Sequence, residues 1–191
     1  MTDEQRLIGI LTASPTLMRV MEGVRALALG LPDWRLVSGC VYQTAWNHLT
    51  GREPDYGLKD YDAVYFDPDT SWDAEDLIIR RAAAAFAPPL DVMVEVRNQA
   101  RVHLWFEQKF GEPYTALGQT DEALERFVCT AFAVGARLEA DGAITLAAPF
   151  GLDDLFAMRL RRNPNRPISA AAFRRVSDSA RARWPELTIA G

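Results

Sequence analysis

Asp60 and Asp62 stand two residues apart at the head of an apolar run, Asp60-Tyr61-Asp62-Ala63-Val64-Tyr65-Phe66. Side chains of a strand alternate between faces, so residues two apart point the same way. Two like charges that close repel, and each raises the pKa of the other. A divalent cation between them removes the conflict, and Mg²⁺ favours one or two protein carboxylates together with waters and substrate phosphates. The plainer alternative is a pair of solvated aspartates at a strand end. Glu95 adds weight to the cation: it stands between Val94 and Val96, and a glutamate in an apolar strand is costly unless it is paired or metal-bound. A salt bridge to Arg97 or Arg101 would answer that cost as well. If the two strands are neighbours, three carboxylates converge at one end of a sheet, the arrangement of two-metal phosphoryl chemistry.

Upstream, Ser38-Gly39-Cys40 falls between an expected strand and an expected helix. A glycine there lets backbone approach an anion, and a helix N-terminus points free N–H groups at it. A plain strand-to-helix turn has the same sequence.

The elements that must position these groups follow from periodicity and punctuation. Ser14-Pro15 opens a helix whose apolar residues Leu17, Val20, Met21, Val24 and Leu27 recur at helical spacing, with Gly30 as its end. Residues 34–37 read as a short strand, 41–49 as a helix and 60–66 as the clearest strand. Thr70 with Asp73 has capping-box spacing for a helix reaching the alanines at 82–85, and Pro88-Pro89 stops it. Residues 91–97 read as a further strand, so the middle of the chain is β-α-β-α-β. Residues 98–110 read as mostly helical, Thr120 as a helix start, and 134–148 as a hairpin around Asp141-Gly142. Residues 152–160 and 169–183 read as helices. The expectation is a single α/β (α+β) domain over 1–191, with a mixed sheet, a core at 34–97 and a helical, basic tail at 151–191.

Composition narrows the function classes. The 191 residues carry 21 basic and 26 acidic groups, net −5, which disfavours broad binding of a phosphate backbone. The deficit is local: residues 51–100 carry net −6 and residues 151–191 net +4. Two cysteines, Cys40 and Cys129, exclude a disulfide framework or a Cys-based zinc cluster, and two histidines argue against a His-rich metal site. No stretch is long and apolar enough for a membrane span, and the N-terminus lacks signal-peptide character, so a cytoplasmic location is expected.

Together these residues resemble the DNA polymerase β-type nucleotidyltransferase superfamily, and more narrowly a bacterial nucleotidyltransferase group of unassigned substrate. The resemblance is carried by Ser38-Gly39-Cys40 with Thr44-Ala45-Trp46-Asn47, by Lys59-Asp60-Tyr61-Asp62-Ala63-Val64-Tyr65-Phe66-Asp67, by Glu95-Val96-Arg97-Asn98-Gln99-Ala100-Arg101-Val102-His103, and by Ala148-Pro149-Phe150-Gly151-Leu152-Asp153-Asp154-Leu155. It implies that Asp60, Asp62 and Glu95 are catalytic and hold metal, two Mg²⁺ ions or Mn²⁺ in their place. Glu95 would be a ligand or the base for an acceptor hydroxyl. It implies that Ser38, Gly39 and Cys40 cradle the triphosphate of an NTP, with Arg97, Asn98 and Arg101 as further nucleotide contacts. Cys40 departs from the superfamily, which usually has Gly or Ser there. Without the resemblance, Asn98 reads as a helix cap and the arginines as ion-pair partners.

The implied reaction transfers a nucleoside monophosphate from an NTP to an acceptor that the sequence does not name, with release of pyrophosphate. The alternatives are a non-catalytic nucleotide- or metabolite-binding module on the same fold, and an aspartyl-phosphate phosphatase built on Asp67-Pro68-Asp69. The last is weakened by Ser71, which stands where that chemistry requires Thr or Val.

Overall fold

The computed structural model describes residues 1–27 and 31–190; the helix end expected at Gly30 lies outside them. The sequence reading assigns nothing before Ser14, yet the chain opens with a helix, α1 (Asp3–Thr12). Thr2 starts it with a reciprocal capping box: its hydroxyl accepts from the Gln5 N–H, and the Gln5 side chain accepts from the Thr2 N–H. The next helix, α2 (Pro15–Leu27), buries the expected stripe Leu17, Val20, Met21 and Val24.

Five strands form one mixed sheet. They are β1 (Arg35–Val37), β2 (Tyr61–Tyr65), β3 (Val94–Asn98), β4 (Gly135–Leu138) and β5 (Ile144–Ala147), in the spatial order β3-β2-β1-β4-β5. β2 and β3 run parallel, and the other pairs are antiparallel. Helix α3 (Gly39–Leu49) links β1 to β2; α4 (Trp72–Ala85) and the one-turn α5 (Leu90–Met93) link β2 to β3. The fold is therefore the expected mixed α/β class, and β4 and β5 are the expected hairpin.

Alternation gives the sheet two unlike faces. On the back, Leu36, Tyr61, Ala63, Tyr65, Val94 and Val96 are buried and join Leu17, Met21, Val41 and Trp46 in the main core. On the front lie Val37, Asp62, Val64, Glu95 and Arg97, where Val37 and Val64 make a small second cluster with Leu124 and Ala133.

Several element readings are corrected. Residues 91–93 belong to α5 rather than to a strand, and Val92 is 80% exposed, so the alternating valines begin to count only at Val94. The hydroxyl that caps α4 is that of Ser71, accepting from Ala74, not that of Thr70. The stretch after Asn98 is a 3₁₀ turn (Gln99–Leu104) followed by α6 (Phe106–Phe110), and Thr120–Arg126 is also 3₁₀. In the tail, helix α7 is confined to Asp153–Phe156. A strand, β6 (Arg159–Leu160), follows; after α8 (Ala170–Arg181) it is paired in parallel by β7 (Thr188–Ile189).

The tail reaches the core through Trp184, which is fully buried and donates its indole N–H to Asn47 Oδ1 at 2.9 Å. The amide nitrogen of Asn47 donates in turn to the Pro54 and Tyr56 carbonyls, at 3.0 and 2.9 Å, tethering the segment that leads into Asp60.

Candidate active site

Register brings the three carboxylates onto one face. Val37 of β1 lies opposite Asp62 of β2, and Asp62 lies opposite Glu95 of β3. Asp60, just before β2, shares the direction of Asp62. Both aspartates are partly buried. Desolvation and the neighbouring Glu95 charge raise the Asp60 carboxyl above its ordinary range, with Lys59 opposing. Asp62 is pushed up to about 6, first by desolvation and then by Asp60; the Ser38 hydroxyl opposes, Glu95 adds to the rise, and Arg97 opposes.

Glu95 is about half exposed and pairs with Arg97 at 3.3 Å, the plainer of its two readings. Among the described residues, no three His, Cys, Asp or Glu side chains stand ready-gathered around a metal position. Asp60 and Asp62 nonetheless suit Mg²⁺: they are two hard oxygen donors on one face whose charges their surroundings leave poorly compensated.

Ser38 precedes α3 with φ 65° and ψ −146°, a conformation that side chains other than glycine rarely adopt. It turns the chain so that the first N–H groups of α3, which have no intrahelical acceptors, begin at Gly39, directly after Ser38, which lines a cleft together with Asp62. At Gly39 the side-chain amide of Gln43 folds close; an added Cβ would sit 2.6 Å from Gln43 Nε2.

Beside Asp62 opens a cleft of about 520 Å³. Its sheet side is Val37, Ser38, Asp62, Val64 and Arg97. Its far side is aromatic, built from Trp105, Phe106, Phe110 and Tyr114.

The sequence model of a nucleotidyltransferase family matches residues 24–189. The chain belongs to that family. This nucleotidyltransferase is also similar in structure to a solved protein described as revealing a CCA-adding enzyme head domain. The TM-score is 0.76 at 24% identity, over 98% of this chain and 95% of that one, a likeness of fold. No protein of curated function matches it in sequence. Membership makes the chain a transferase that acts in nucleotidyl transfer.

Of the residues expected to contact nucleotide, the nucleotidyltransferase places Ser38 and Arg97 in the cleft with Asp62 and engages three others elsewhere. The Cys40 thiol is buried and donates to the Val37 carbonyl at 3.0 Å; burial, then the Asp62 charge, push its pKa up. Asn98 is 1% exposed and fully engaged. Its side-chain oxygen accepts from the Asp67 and Ala100 N–H groups, and its nitrogen donates to the Asp67 and Asp69 carbonyls. Arg101 is buried, pairs with Glu75 at 2.8 Å and donates to the Thr70 carbonyl. In this structure both Asn98 and Arg101 lock the β2–α4 turn to the end of β3.

The pair on which the phosphatase alternative rests lies in that turn. Asp67 Oδ1 accepts from the Asp69 N–H and Asp69 Oδ1 from the Ser71 N–H, so both aspartates shape the turn that starts α4.

Asp154, expected only to charge the first turn of α7, is a hub. It accepts from Thr130 and Arg159, both at 2.6 Å, and from Arg161 at 3.0 Å. Desolvation opposes its ionisation, but these bonds win and hold its carboxyl below the usual range.

The aromatic wall and Arg126, which lines the same cleft, escaped the sequence reading. Trp105-Phe106 with Phe110 looks like an ordinary packed stripe; its signal was the partial exposure that such a short, 3₁₀-led helix leaves.

Proposed function

We propose that this chain transfers a nucleoside monophosphate from an NTP to an acceptor hydroxyl in a Mg²⁺- or Mn²⁺-dependent reaction. The observation that carries this reading is the shared face of Asp60, Asp62 and Glu95: burial and then the Glu95 charge raise the pKa of Asp60, and burial, then Asp60, and further Glu95 raise that of Asp62. Asp60 and Asp62 would hold the cation, which when bound supplies charge neutralisation to the triphosphate. The α3 N-terminus at Gly39 offers backbone N–H groups to phosphate oxygens. Arg97 adds a cation beside them.

The acceptor oxygen forms a bond to the α-phosphorus, the bond from that phosphorus to the α,β-bridging oxygen breaks, and pyrophosphate leaves. The proton of the acceptor hydroxyl passes to the Glu95 carboxylate. Catalysis is then chiefly positioning and charge neutralisation.

The test is calorimetric binding of each NTP with and without Mg²⁺, joined to pyrophosphate release with a panel of hydroxyl acceptors and water. Cation-dependent binding and turnover should fall sharply in Asp60→Asn and Glu95→Gln. Unchanged binding and turnover in both variants would overturn the reading.

A further inference from the structure

We propose that the cleft beside Asp62 seats a nucleobase, stacked on the Phe106–Tyr114 wall and hydrogen-bonded by Arg126. The choice of ring rests on the nucleotidyl-transfer reading; the fit rests on the cleft itself.

The volume of about 520 Å³ lies within the usual range for small-molecule sites, roughly 300–1,000 Å³. The Phe106 ring lies 4.5 Å from that of Tyr114 and 4.7 Å from that of Phe110, centroid to centroid, so the wall is one continuous aromatic surface. Such surfaces hold flat rings, and every base has a π-face to offer.

Charge selects a neutral ring over an acidic one. Three arginines line the cleft, and two of them are already answered: Arg97 by Glu95 at 3.3 Å and Arg166 by Glu112 at 2.7 Å. Arg126 forms no ion pair among the described residues, and Asp62 stands in the same cleft against it. The balance is close to zero, so an aromatic carboxylate or phosphate would bring an excess charge.

A dipolar ring with carbonyl or ring-nitrogen acceptors brings none and supplies what Arg126 lacks. The Arg126 guanidinium lies over the Tyr114 ring, 5.9 Å from its centroid, and its buried Nε meets no acceptor. A buried donor without a partner is costly, and an acceptor on the ligand relieves that cost. The Gln99 amide, also in the cleft, makes a long 3.4 Å contact to the Arg97 carbonyl and has both a donor and an acceptor to present to a base edge.

The base can belong to the donor NTP or to the acceptor. Saturation-transfer NMR with adenosine, guanosine, cytidine and uridine, without metal, tests the seat alone. At least one nucleoside should bind. Tyr114→Leu should weaken it about tenfold, the expected worth of a base–aromatic stack, while Tyr114→Phe keeps it. Arg126→Gln should weaken it in a chain that melts as the wild type does, which guards against a Tyr114→Leu variant that fails to fold. Displacement of the nucleoside by a non-hydrolysable NTP with Mg²⁺ assigns the seat to the donor; simultaneous binding assigns it to the acceptor. If no nucleoside binds, or if both variants bind it as the wild type does, the proposal is overturned. Asp60→Asn should leave nucleoside binding intact, so a failed transferase reading and a failed base seat give different results.

Discussion

The two faces of strands β1, β2 and β3 share one backbone and differ in everything else. On the back, Leu36, Ala63 and Val96 are at most 1% exposed and carry no charge. On the front, the residues one step along each strand are Val37, Asp62 and Glu95 or Arg97. The back supplies the free energy that holds the strands in register. The front holds like charges together at a cost, and it can do so only because the back is already stable. Burial of apolar surface therefore underwrites an electrostatic arrangement that would not assemble by itself.

The comparison breaks first at Asp62. Asp62→Asn should lower nucleotide turnover by about 10³-fold or more, the scale of several kcal/mol of charge stabilisation, without loss of the fold; pyrophosphate release and circular dichroism read the two effects. Turnover that survives would deny the front face its role.

Arg101→Leu should act in the opposite sense. It strands Glu75 without its buried partner and should reduce stability by about 3–5 kcal/mol in a urea titration, with the KM for NTP of the folded fraction unchanged. On the back face, Leu36→Ala should cost about 2–5 kcal/mol, and activity should fall only as the folded fraction does.

Titration separates the faces further. The folded-state pKa of Asp62, about 6, lies above its ordinary value, so protonation favours the folded chain. That contribution is whole below the ordinary carboxylate pKa and is lost as pH rises towards 6. Metal-free protein should therefore lose on the order of 1 kcal/mol through Asp62 between pH 4 and pH 7, and Asp62→Asn should abolish that slope in pH-dependent melting. Asp154 has the opposite sign. Its lowered pKa stabilises the fold above the ordinary carboxylate range, and the benefit disappears as pH falls below it.

The smallest effect is expected at Ser38. Ser38→Gly should relieve about 1 kcal/mol of backbone strain while removing the hydroxyl that opposes the raised pKa of Asp62. A higher melting temperature and a more alkaline limb in the pH–rate profile would show both.

Much of this was legible before the structure. Alternation in 60–66 and 94–97, with turn residues around them, was enough to set Asp60 with Asp62 on one side of the first strand and Glu95 with Arg97 on one side of the second, because a strand's period depends on nothing beyond the strand; that the two strands are neighbours with Asp62 opposite Glu95 depends on pairing. What escaped depends on partners distant in sequence. Arg101 meets Glu75 across 26 residues, and no local pattern distinguishes that arginine from one that reaches a ligand. Cys40, expected in the turn before a helix beginning at 41, falls in the first turn of α3, and no local pattern shows that its thiol turns to the Val37 carbonyl. The strand expected from 91 begins at 94 because Pro89 and Leu90 start a helical turn, and alternating valines do not forbid one turn of helix.

Asn47 carries one more consequence. Its amide holds the Pro54 and Tyr56 carbonyls while its oxygen holds Trp184, so the approach to Asp60 is ordered by folding rather than by ligand. A cation held by Asp60 and Asp62, as proposed, would meet that approach already ordered. Its capture should be a fast, single-step event whose rate follows ionic strength, with no slow rearrangement trailing behind it.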